Sequence, residues 1–110
     1  MDPKFSHARV DRINAVEDRL IAARLRRDGR VLEDARHNLK RWMTKDGRQA
    51  RACFQEWQRI VTRLSRGEIA DFLTSDTPLA RRLRQSSPFA GVLSAAERRT
   101  IVQQHEEAGS

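Results

Sequence analysis

Residues 48–64 are RQARACFQEWQRIVTRL, an unbroken helical pattern beside a concentration of arginine in the middle of the chain. Ala50, Cys53, Phe54, Trp57, Ile60, Val61 and Leu64 recur at spacings of three and four, the repeat of one face of an α-helix. Arg51, Gln55, Gln58, Arg59, Thr62 and Arg63 fall on the remaining faces, with Glu56 the single acid of the segment. One helix over 49–64 therefore offers an apolar stripe to a core and a basic ridge to something else.

The same period extends outward in both directions. On the N-terminal side, Val10, Ile13, Val16, Leu20 and Ala23 form a stripe within a helix expected over 7–28, and Ile21 and Leu25 broaden it. Asp2-Pro3 can open this helix, and Asp28-Gly29 reads as its stop, since glycine tolerates a left-handed C-terminal cap. A second helix is expected over 31–45, with Leu32, Ala35, Leu39 and Trp42 facing inward. Asp46-Gly47 repeats the earlier stop at an offset of 18 residues, which favours successive helices joined by tight turns.

On the C-terminal side the elements shorten. Ser65-Arg66-Gly67-Glu68 and Ser94-Ala95-Ala96-Glu97 both have capping-box spacing, in which Ser and Glu satisfy the first free backbone donors of a helix. A helix of about 66–74, one starting at Pro78, a brief turn over 89–93 and a last helix to about residue 106 follow, with 107–110 expected to fray. The expected fold is an all-α, antiparallel helical bundle in one domain, three longer helices closed by two or three short C-terminal ones. Leu20, Leu39, Trp42, Phe54, Trp57, Ile60, Leu64, Phe72, Leu73 and Leu83 are the expected core. The two apolar faces of the first helix also suggest a homodimer through Ile21 and Leu25.

The totals agree with this class. The chain has 110 residues, no Tyr, three Pro and five Gly, and an apolar fraction of 38% against a charged fraction of 34%, which suits slim amphipathic helices better than sheets. A domain of this length buries roughly two-thirds of its unfolded surface and needs no covalent staple. The single Cys53, set in the apolar stripe, reads as a structural thiol, and the expected setting is cytoplasmic. No apolar run approaches the roughly 20 residues of a membrane span, so a membrane partner is not expected.

Charge supplies the functional reading. The net charge is +7, made of +8 over residues 1–67 and −1 over 68–110, and Arg contributes 19 of the 22 basic residues. Guanidinium groups bind phosphates and carboxylates bidentately, so this bias points to an anionic partner. The catalytic and cofactor signatures GxxxxGK, HExxH and GxSxG are absent, and His7, His37 and His105 share no metal-ligand spacing with Cys53. No enzymatic activity, metal or cofactor is expected.

Two constellations remain. Ile69-Ala70, Leu73, a polar turn, Ala80 and Leu83 follow the apolar skeleton of a helix-turn-helix, which would turn Thr77, Arg81, Arg82, Arg84 and Gln85 outward toward duplex DNA. Thr74 and Ser75 depart from that pattern, standing where glycine and an apolar residue are usual. The second constellation is the ridge of Arg48, Arg51, Arg59, Arg63 and Arg66, which could track a phosphate backbone or meet an acidic protein. Trp42 and Trp57, possible stacking platforms, sit on apolar stripes and are expected in the core or an interface. The function expected first is a small regulatory or accessory nucleic-acid-binding protein. The alternative is a non-enzymatic adaptor or inhibitor docking its basic face on an acidic protein.

Overall fold

Helix boundaries follow the punctuation in the chain. A computed structural model describes residues 7–47 and 51–108, and these form six α-helices and a short 3-10 turn with no strand among them. The helices are α1 (His7–Arg27), α2 (Gly29–Asp46), α3 (Ala52–Arg63), α4 (Arg66–Leu73), α5 (Pro78–Arg84) and α6 (Ala95–Ala108), with the 3-10 turn at Ala90–Val92. The fold is an all-α bundle, as the periodicity implies. The expected start at Asp2-Pro3, the ridge residue Arg48 and stripe residue Ala50, and the last two residues of the chain lie outside the described residues. Helix α6 continues through 107 and 108, two residues beyond the expected end.

Both capping boxes form. Ser65 Oγ accepts from Glu68 N at 3.2 Å while Glu68 Oε1 accepts from Ser65 N at 3.0 Å, and Ser94 with Glu97 repeats the arrangement at 3.1 and 3.0 Å. Gly47 takes the positive φ (62°) expected of a stop, and its N–H reaches the carbonyl of Met43. Asp28-Gly29 works differently from expectation. Asp28 is the N-cap of α2, its Oδ1 accepting from Arg30 N at 2.9 Å, and Gly29 is the first residue of that helix. A carboxylate ready to receive a helix N-terminus outweighs a glycine that could end the preceding one. Helices α1 and α2 are thus separated by a single residue.

The core runs through every helix. Leu25, Leu39, Trp57, Ile69, Leu73, Leu83 and Phe89 are its largest fully buried apolar side chains. Trp57 holds the centre: its ring meets Phe72 and Phe89 edge-on at 5.7 and 6.0 Å, and its Nε1 donates to the Leu83 carbonyl at 2.8 Å. Trp42, Phe54, Ile60, Leu64 and Phe72 pack on this core while half-buried, and so does Cys53.

Helix α1 corrects the expectation. Its buried residues are Ile13, Ile21, Ala22 and Leu25, whereas Leu20 is 41% and Val10 44% exposed and Ala23 also faces out. The sequence holds two neighbouring stripes about one residue apart in phase. The inner one is the stripe that sets small Ala22 beside Ile21 and Leu25 and lies along α4, the most extensive helix pairing of the molecule. Ile21 and Leu25, at 6% and 0% exposure, lie inside the fold and are not available for the self-association expected of them.

Candidate functional site

The α4–α5 corner has the predicted apolar skeleton. Ile69, Ala70, Leu73, Ala80 and Leu83 are all buried. Thr77 caps α5 by accepting from Ala80 N at 3.2 Å, with Pro78 at the first helical position, so its hydroxyl is used within the chain. Thr74 lies at φ −109°, a conformation open to any residue, so the turn makes no use of the left-handed geometry for which glycine is kept.

The arginines of α5 are occupied. Arg81 pairs with Asp76 through Nε and Nη2 at 2.8 and 2.5 Å. Arg82 grips Glu56 of α3 with both terminal nitrogens, at 3.0 and 3.2 Å, and this contact holds the Glu56 carboxyl below its usual range, with Arg59 adding to the effect. Arg84 turns inward. Its Nη1 donates to the carbonyls of Ser75 (2.6 Å) and Leu73 (3.2 Å), and its Nε lies 3.3 Å from Asp18 of α1. Gln85, at the C-cap, is exposed.

Asp18 is a site residue that the sequence did not single out. Its side chain is 20% exposed, and burial pushes its pKa up to about 6 although Arg84 pulls the other way. A carboxylate one turn ahead of Ala22 on the inner stripe is the signal that was available, but only once that stripe is known to face inward.

The second ridge divides. Arg66 belongs to α4 and reaches the α1–α2 joint, donating to the Leu25 carbonyl at 3.4 Å beside Gly29. Arg51 lies over the Phe54 ring, 5.7 Å from its centre. Arg59 and Arg63, one turn apart on α3, are exposed and make no hydrogen bond or ion pair to any described residue. They flank a groove between α3 and α5 of about 300 Å³, lined also by Glu56, Ile60, Leu64 and Leu79. Leu79, at 46%, is the most exposed large apolar side chain described. Of the three apolar residues Leu79, Ala80 and Leu83, this seven-residue helix buries only the last two, which periodicity over so short a helix does not reveal.

Arginines elsewhere show the same internal use. Arg24 and Arg26 of α1 pair with Glu97 and Asp71, and Arg9 meets Glu106 at 2.5 Å. Arg36 donates twice to the Val61 carbonyl, at 2.7 and 3.1 Å. Among the described residues no group of three or more His, Cys, Asp or Glu is placed to hold a metal ion, and no helix is long and apolar enough to cross a membrane. No protein-family model, curated protein or solved structure matches this chain.

Proposed function

We propose that this protein is a non-enzymatic helical adaptor or inhibitor that docks a basic face on an acidic protein partner. One observation carries the choice: the arginines of α5 pair with Asp76, Glu56 and Asp18, whereas Arg59 and Arg63 of α3 form no ion pair with any described residue and flank a largely apolar groove. Reading bases from α5 would require Arg81 and Arg82 to abandon acids of their own chain, and Arg84 to leave two carbonyls as well. The net charge of +7 still draws the protein to any polyanion, so nucleic acid is the second reading.

A titration with duplex DNA across several salt concentrations separates the two. The adaptor reading expects weak binding that Arg81→Ala and Arg82→Ala leave unchanged. Saturable binding that falls steeply with salt and drops with those two substitutions overturns it in favour of DNA.

A further inference from the structure

We infer that the groove between α3 and α5 receives an acidic amphipathic helix of the partner, its apolar side chains on Ile60, Leu64 and Leu79 and its carboxylates on Arg59 and Arg63. This inference rests on the adaptor reading and names the partner's chemistry at one site. The groove has the composition such a helix demands, an apolar floor with a cationic edge. Arg59 and Arg63 are four residues apart, so their guanidinium groups are spaced by about one helical turn and match acids at i and i+4 of a partner helix. Glu56, the acid in the lining, does not oppose this, because Arg82 engages both of its oxygens.

The site is also pre-shaped. The Trp57–Leu83 hydrogen bond fixes the distance between α3 and α5, and Arg84 ties α5 to α1 and to the preceding turn. A partner helix therefore meets a groove whose ordering has already been completed by folding, which favours binding.

Other occupants fit worse. A recognition helix contacts base edges with its N-terminal residues, and in α5 that place holds Pro78 and Leu79, whose side chains offer a base edge no hydrogen bond. A second copy of this chain docking symmetrically would bring Arg59 and Arg63 against themselves.

The test uses the full chain and a synthetic amphipathic helix of about four turns, with Leu at helical spacing on one face and Glu flanking it. Two controls replace either every Glu by Gln or every Leu by Ser. Amide shifts in an NMR titration are expected on α3 and α5 with the first peptide, and both controls should bind roughly tenfold or more weakly. Leu79→Ser and Arg63→Gln, both at exposed positions, should each weaken the first peptide by a similar factor while leaving the circular dichroism spectrum unchanged.

Equal binding of the Ser control, together with an inert Leu79→Ser, would mean that charge alone docks. That overturns the groove and leaves the adaptor reading standing. Equal binding of the Gln control removes the acidic requirement and overturns the inference as stated. Absence of shifts with either acidic peptide at low salt overturns both the inference and the adaptor reading. Shifts on α3 and α5 that follow protein concentration without peptide assign the groove to a second copy and overturn the inference as well.

Discussion

Helices α3 and α5 meet through Trp57 with Leu83 and Glu56 with Arg82, and both are rich in arginine, yet their guanidinium groups do opposite work. On α5, Arg81, Arg82 and Arg84 each have a carboxylate of the same chain. On α3, Arg59 and Arg63 form no ion pair with a described residue, although Arg59 helps lower the pKa of the Glu56 carboxyl, and both are exposed beside Leu79. The near-neutral balance of residues 68–110 conceals this, because the acids that neutralise α5 are drawn from α1, α3 and the α4–α5 turn. Charge available to a partner is set by tertiary pairing and not by local counts of arginine.

The comparison depends on α5 being held firmly against α3, and Trp57 is the residue that holds it. Trp57→Ala removes a fully buried indole, two edge-on aromatic contacts and the bond to the Leu83 carbonyl, and is expected to cost about 3–5 kcal/mol in urea unfolding. Trp57→Phe keeps most of the volume and loses the donor, so about 1 kcal/mol is expected. If the two variants were equally unstable, the hydrogen bond and not the packing would set the α3–α5 spacing.

The sharpest contrast is between single arginines on the two helices. Arg84→Ala strands Asp18 and two backbone carbonyls in a half-buried site, and a loss of about 2 kcal/mol is expected. Arg59→Ala and Arg63→Ala remove no such bond and should stay within about 0.5 kcal/mol of the parent. A substantial loss at Arg59 or Arg63 would show that the α3 arginines also serve the fold, and would erase the difference on which the docking face rests.

What could be read from the sequence follows the range of the interactions involved. Capping boxes, the Gly47 stop and the inner face of α3 are set by residues within a turn of one another, and they stand as the pattern implies. The phase of α1 was not legible, since Val10, Ile13, Val16 and Leu20 keep helical spacing as well as Ile21, Ala22 and Leu25 do, and of the first set it is Ile13 that is buried with the second. Only the partner surface of α4 selects between them. For the same reason the burial of Phe89 against Trp57 was not legible, although the turn that carries it was. At the candidate site, Arg59 and Arg63 were visible as an unbalanced ridge. The partners of Arg82 and Arg84 were not, for Glu56 and Asp18 are 26 and 66 residues away from them in the chain, whereas Asp76 lies only five residues before Arg81.

The smallest expected effect concerns pH, and it asks how far Arg84 is a salt bridge at all. Asp18 ordinarily titrates near 3.8, and burial raises it to about 6 in the fold despite the neighbouring guanidinium. Between those values the folded state binds more proton than the unfolded one, so this contribution to stability is complete below 3.8 and is lost as pH rises through about 6. Its size is on the order of 1 kcal/mol, less than the full shift would give, since the carboxyl keeps contact with water. Glu97 has the opposite sign. Arg24 and the Ser94 N–H hold it at about 2, so its contribution is present above 4.5 and is lost as pH falls toward about 2. Melting temperature plotted against pH should therefore climb on the acid side and decline toward neutrality, with Glu97→Gln flattening the first limb and Asp18→Asn the second. Asp18→Asn should be no less stable than the parent at neutral pH, because an amide oxygen can still accept from Arg84 without the cost of a buried charge. If instead it is as unstable there as Arg84→Ala, the ionised pair is what fixes α5 to α1, and the inward arginine owes its place to charge more than to the carbonyls of Leu73 and Ser75.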